Sequence, residues 1–147
     1  MANILVSACL LGCECRYKGD SCRNESVMAL AGEHTLLAVC PEQMGGLSTP
    51  RHPAEIQGDK LINSAGVDVT AEYMKGAKTA CHLAKLNGVK FAVMKANSPS
   101  CGHGMIYDGS FSGNKVPGNG VTVRLLEADG IKVFNEDELD GLLKELS

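Results

Sequence analysis

Apolar residues along this chain fall into four short unbroken runs separated by longer stretches of helical spacing. Asn3-Ile4-Leu5-Val6-Ser7-Ala8 stops at Cys9 and a glycine-containing loop, and Thr35-Leu36-Leu37-Ala38-Val39 stops at Cys40-Pro41. Lys90-Phe91-Ala92-Val93-Met94 and Ile131-Lys132-Val133-Phe134 follow. Runs of this length, bounded by Gly, Pro and Asn, predict buried strands. Between them, residues 24–31 predict a short helix, closed by Gly32 in the left-handed position past its end. The clearest helix has Asp68 or Thr70 as its cap, repeats Tyr73, Ala77, Ala80, Cys81 and Ala84 on one face, and ends at Asn87-Gly88. Val121 to Ala128 predicts a further helix ending at Gly130. The last helix opens at Asn135, with Glu138 three residues on as a capping box. Pro41, Pro50 and Pro53, with Gly45 and Gly46, mark a long loop; Ala96 to Gly104 forms another, and residues 105–120 read as irregular hairpins. Short strands alternating with amphipathic helices specify an α/β fold: a single domain over 1–147, with a mostly parallel sheet of about four strands flanked by helices.

Composition narrows the class. A chain of 147 residues fits one domain. With 44% hydrophobic and 21% charged residues it is globular, and with 4% aromatics and no Trp its core is aliphatic. A net charge of -3 disfavours a nucleic-acid partner, and no apolar run is long enough to span a membrane. Val6-Ser7-Ala8-Cys9 looks like a lipoprotein cleavage box but lacks the basic segment and the long apolar stretch that one needs. The expectation is therefore a cytoplasmic protein. Its seven cysteines, an odd number in a chain that needs no disulfide staples, are expected to be reduced thiols.

Where those cysteines fall directs the chemistry. Cys9 follows the first strand, Cys40 ends the second, and Cys101 lies in the loop after the third. Open parallel sheets bind ligands outside the carboxyl ends of their strands, so parallel pairing would bring all three thiols to one edge. Glu42 lies two residues from Cys40, and Ser98, Ser100 and Gly102 surround Cys101. Three thiolates with a carboxylate and hydroxyls nearby suit a metal centre with one open position, either zinc or an iron–sulfur cluster. The plainer alternative is ordinary buried cysteine, which is the reading for Cys81 on its helical stripe. Cys13, Cys15 and Cys22 form no C-x2-C pair, and C-x3-C-x-C over Cys9, Cys13 and Cys15 is one residue short of a radical-enzyme cluster motif.

The remaining polar candidates are less specific. Arg51 is either a surface residue or a forked donor to an anionic or carbonyl group, with Glu55 as its partner. His103 lines the site or faces solvent, and His52 is equally open; His34 and His82 read as surface residues. Asp108 before Gly109 is a turn former. Gly118-Asn119-Gly120 precedes a helix and can bind an anion at its N-terminus, but no P-loop lysine follows it.

Several of these segments together resemble a known family. They are Val6-Ser7-Ala8-Cys9-Leu10-Leu11-Gly12, Val39-Cys40-Pro41-Glu42 with Gly45-Gly46-Leu47, Pro50-Arg51, Pro53-Ala54-Glu55-Ile56, Asp68-Val69-Thr70, Ser98-Pro99-Ser100-Cys101-Gly102, Ile106-Tyr107-Asp108-Gly109 and Gly120-Val121-Thr122. The family is the one catalogued as domain of unknown function 523, which contains the thiouracil desulfidases. The resemblance runs from residue 4 to about residue 136. It implies that Cys9, Cys40 and Cys101 hold a [4Fe–4S] cluster whose fourth iron is free of protein ligands. It further implies non-redox conversion of a small thiocarbonyl substrate to the carbonyl with release of hydrosulfide. Glu42 would be the general acid/base, and Ser98 or Ser100 would position substrate or relay a proton. Cys13 and Cys22 lie outside the family signature, and Cys15 occurs in many members without belonging to it; extra thiols of this kind would be spare ligands or sulfur acceptors. Two other readings of the residues compete: a non-catalytic module that carries metal, cluster or sulfur, and a metal-free thiol enzyme with Cys101 or Cys9 as nucleophile.

Overall fold

The computed structural model describes residues 1–147. Four strands, β1 (Asn3–Ser7), β2 (Thr35–Val39), β5 (Phe91–Val93) and β8 (Lys132–Phe134), form one parallel sheet in the order β2-β1-β5-β8. Two antiparallel pairs lie apart from it: β3 (Ala54–Gln57) with β4 (Lys60–Asn63), and β6 (Met105–Tyr107) with β7 (Lys115–Pro117). The helices are α1 (Glu25–Met28), α2 (Pro41–Met44), α3 (Thr70–Leu86), α4 (Val121–Ala128) and α5 (Leu139–Leu146).

All four expected sheet strands are present, and their continuous hydrophobicity has a direct cause. Side chains of a strand alternate between faces, and here both faces are covered. Leu5, Ala92 and Val133 pack on one side with α3 and α4 residues such as Ala80, Ala84 and Leu126. Ile4, Val6 and Val93 pack on the other with Val27, Leu30 and Leu142 from the α1 and α5 regions. Adjacent strands β1 and β5 thus send their chains to opposite faces, β1 toward α1 and β5 toward α4. The carboxyl ends of those two strands form the switch point of the sheet.

Some local expectations change. Residues 29–32 tighten into a 3-10 turn that includes Gly32, which has no left-handed backbone, and the chain turns instead at Glu33. Neither Asp68 nor Thr70 caps α3 in the expected way. Asp68 accepts the Thr70 N–H, while the Thr70 hydroxyl accepts from Leu61 N–H and ties α3 to β4. The capping box forms its hydrogen bonds, with Glu138 accepting from Asn135 N–H and Asn135 from Asp137 N–H, although regular helix begins only at Leu139. The long proline-rich loop contains α2, and the β3–β4 hairpin turns at Gly58, whose φ is 65°.

Short α2 lies against α3 with backbone touching backbone. A Cβ on Gly76 would sit 1.7 Å from the Pro41 carbonyl oxygen, and one on Gly45 would sit 1.9 Å from that of Glu72. Only hydrogen fits at either position, so these two glycines set how deeply α2 seats. Gly76→Ala is expected to lower unfolding free energy by about 3 kcal/mol through this overlap. Gly32→Ala, with open space around it and ordinary backbone, should change stability by no more than about 0.5 kcal/mol; urea unfolding of both variants measures the difference.

Candidate active site

A cavity of about 300 Å³ opens at the carboxyl ends of the central strands. Cys9 enters it from the 3-10 turn after β1, Cys40 from the end of β2, and Cys101 from the loop after β5. Glu42, Arg51, Glu55, Lys95 and Ser98 also line it. The parallel register brings together thiols about 30 and 60 residues apart in the chain.

Each loop is held from behind. The β1 end residue, Ser7, accepts a hydrogen bond from Lys95 N–H at 2.9 Å, which fixes the chain leaving β5 against the chain leaving β1. Ser98 Oγ accepts from both Ser100 N–H (3.1 Å) and Cys101 N–H (3.0 Å), folding the loop into a tight turn that aims Cys101 inward. Gly120 then receives that turn: a Cβ there would lie 2.4 Å from the Ser100 carbonyl carbon and oxygen.

The two serines are thereby distinguished. Ser98 stands on the cavity wall. Ser100 is fully buried behind it, with its hydroxyl 2.7 Å from that of Thr122.

Arg51 is the forked donor of its two sequence readings and not the surface residue, and the carboxylate and carbonyls it binds are the protein's own. Its side chain is 7% exposed and clamps four groups of the protein itself. Nη2 donates to the Cys15 carbonyl at 3.0 Å and to Glu42 Oε2 at 3.4 Å, while Nη1 donates to Thr49 Oγ1 and the Ser48 carbonyl. A planar fork suits such convergence better than an ammonium would. Its partner is Glu42, not Glu55. Glu55 is instead buried, and its Oε1 accepts from Gly109 N–H (3.0 Å) and Phe111 N–H (3.2 Å).

Three thiols at the site, those of Cys101, Cys40 and Cys15, are pushed toward their protonated form. Burial is the main reason for Cys101, reinforced by the charge of Glu42 and opposed by the Ser7 and Ser100 hydroxyls. A hydrogen bond with Cys15 raises Cys40 most, followed by burial and Glu42. For Cys15 the Cys40 hydrogen bond pulls down, but the Cys9 hydrogen bond, burial and the neighbouring thiols hold it at about 11. Burial pulls the Lys95 ammonium down, yet its 2.8 Å pair with Glu136 outweighs this and raises it overall.

Cys15 is the thiol whose place in the site the sequence reading left open: it is 5% exposed and lies on the cavity beside Cys9 and Cys40. Cys13 is exposed, Cys22 is half-buried outside the cavity, and Cys81 is a core residue whose thiol donates to Asp129. His103 is off the cavity, its Nδ1 2.7 Å from Glu138 and its Nε2 3.6 Å from Glu127. His52 reaches Ser64. The helix start at Gly118-Asn119-Gly120 is not open to an anion, because the Gly120, Val121 and Thr122 N–H groups donate to Gly102, Pro99 and Ser100 carbonyls. No three His, Cys, Asp or Glu side chains converge on a single metal-ion position.

Comparison with known proteins agrees with this architecture. The chain is 45% identical to the uncharacterized protein YbbK of Bacillus subtilis (strain 168), with 95% of this chain and 99% of that one covered. It superposes with a TM-score of 0.94 and 47% identity on a structure described as the [4Fe–4S]-dependent thiouracil desulfidase TudS, covering 99% and 98% of the two chains. No helix is long and apolar enough to cross a membrane. The sequence model of the 2-thiouracil desulfurases matches residues 4–138, nearly the whole chain, and the protein belongs to that family.

Proposed function

We propose that the protein is an iron–sulfur-dependent desulfidase that converts a small thiocarbonyl compound of the thiouracil type to the corresponding carbonyl compound and releases hydrosulfide. One observation carries this reading: Cys9, Cys40, Cys101 and Glu42, brought from three loops, share one cavity at the switch point. The donor set fits a cluster. Thiolates select zinc or iron–sulfur centres, and three of them on one cavity with Glu42 and Ser98 suit a cluster held by cysteine and open on its remaining side. Cys9, Cys40 and Cys101 would hold the cluster. When bound, it supplies a Lewis-acidic iron, free of protein ligands, for the thiocarbonyl sulfur.

The balance is hydrolytic. Water adds to the carbon, the C–S bond breaks, and oxygen replaces sulfur without net oxidation or reduction. Glu42 takes a proton from the attacking water and returns it to the departing sulfur. Arg51 fixes that carboxylate through Oε2 and simultaneously fixes the carbonyl of Cys15 on the cavity wall. Ser98 faces substrate, with its oxygen accepting two backbone N–H groups and its own O–H left to donate. Ser100 acts from behind, by holding Cys101 against α4. The family match and the TudS superposition support the thiouracil-like substrate class.

Glu42→Gln is expected to lower hydrosulfide release by at least about 100-fold while keeping the iron and sulfide content and the brown visible absorption of anaerobically reconstituted protein. A carrier module would instead tolerate this change, and a metal-free thiol enzyme would not respond to iron at all. The serines give a second test. Ser98→Ala should slow turnover roughly tenfold or more with the cluster retained. Ser100→Ala should lower thermal stability by about 1–3 kcal/mol, leaving the Thr122 hydroxyl without its buried partner, and should weaken cluster retention.

A further inference from the structure

The chain has only three tyrosines, Tyr17, Tyr73 and Tyr107, and all three line the active cavity, whereas none of its three phenylalanines does. In an aromatic-poor protein with an aliphatic core, that distribution places flat apolar surface where a ligand would lie. One of the three has its side chain committed to the protein interior. Tyr73 is 3% exposed on α3, packed among Ala54, Leu61 and Val69. Tyr17 belongs to the segment whose carbonyl accepts from Arg51 N–H.

Tyr107 shares with Tyr17 a half-buried ring and a lysine ammonium 5.7 Å from its centroid; what sets Tyr107 apart is the turn that follows it, which a buried carboxylate of another strand holds. Tyr107 lies on β6, opposite Lys115 of β7, whose ammonium is the one over its ring. A two-stranded pair of three residues each is marginal alone, so its position over the cavity needs an outside anchor. Glu55 supplies one. It projects from β3 into the turn that follows Tyr107, accepting the N–H groups of Gly109 and Phe111 through a single oxygen. Both residues have left-handed backbones, φ 94° and 57°, which turns their N–H groups toward that oxygen. Gln57, two residues along the same strand, donates from Nε2 to the Gly109 carbonyl at 2.7 Å. Gly109 also lies so close to Ile56 that a Cβ would be 2.7 Å from its carbonyl oxygen. Strand β3 and the Tyr107 turn are therefore joined at three points.

We infer that Tyr107 is the contact surface for the planar ring of the substrate and that Glu55 is a positioning residue that holds it there. The inference rests on the desulfidase reading of the same cavity. Stacking needs a fixed ring plane, and the carboxylate acts by fixing the turn; it takes no part in proton transfer. The ring face is a specificity element: it rewards flat heteroaromatic thiocarbonyls over aliphatic thioamides of equal size.

Equilibrium binding of 2-thiouracil to cluster-loaded protein, with steady-state hydrosulfide release alongside, tests both assignments. Tyr107→Ala is expected to weaken binding roughly tenfold, with the loss falling on KM and with iron content and visible spectrum as in the parent. Tyr107→Phe, which restores the ring, should recover most of it. Glu55→Ala should reproduce the Tyr107→Ala loss, and the double variant should be no worse than either single one. Glu55→Gln keeps an oxygen for the two N–H groups and should rescue. Unchanged binding in Tyr107→Ala overturns the contact role. Failure of Glu55→Gln to rescue, or a full additional loss in the double variant, overturns the positioning role. Should Glu55→Ala fail to fold, the Tyr107 pair and Glu55→Gln still decide. Parent protein that carries the cluster yet neither binds nor converts 2-thiouracil overturns the functional reading itself, and the inference with it.

Discussion

Everything at the active edge depends on how closely loops can approach the helices beneath them. Cys40 and Glu42 sit at the start of a helix only four residues long, which could not hold itself in place. It is placed by direct backbone contact with α3 at Gly45 and Gly76. The Cys101 turn rests on Gly120 at the start of α4 in the same way. Rigid helices set the position, glycine permits the distance, and the reactive side chains inherit both. Packed backbone has little room to yield, so a methyl group introduced at either contact would displace the chemistry and the fold together.

Polar groups complete what packing begins. Arg51 spans the Cys15 carbonyl, the Glu42 carboxylate and the residues just before it in sequence. Glu55 ties a second strand to the Tyr107 turn. Neither side chain is a lone buried charge: each is hydrogen-bonded by partners from a different segment, the condition under which burial of a charged group is tolerated. The cavity therefore has a wall of thiols on the sheet side and walls of clamped polar and aromatic groups around it.

Much of this was legible in the residues alone, for physical reasons that also mark the limit. β1, β2, β5 and β8 are readable because burial on both faces makes them unbroken apolar runs. Cys9, Cys40 and Cys101 are readable as one site because parallel strands end at a common edge. Pairing between loops leaves no such trace. Glu55 looked like the partner of Arg51 because the two are neighbours in sequence, but backbone N–H groups more than 50 residues away claim it. Asn119 and its flanking glycines resemble an anion site until the Ser98–Gly102 turn occupies the same N–H groups. The β3–β4 hairpin had a usable signal, Gly58-Asp59 between two alternating segments. Cys15 had almost none, since its burial comes from neighbours distant in the chain.

The spread along the chain of the three thiols proposed to hold the cluster has a consequence for the life of the protein as well as for its reaction. A cluster held as proposed by Cys9, Cys40 and Cys101 would pin the ends of β1, β2 and the β5 loop to one another, closing segments of about 30 and 60 residues. It binds the native chain and not the unfolded one, so its affinity adds directly to the free energy of the folded state. Catalyst and cross-link are then the same object. Oxidative loss of the inorganic core would remove activity and loosen the sheet edge in a single event, exposing damaged molecules to proteolysis at the moment they cease to work.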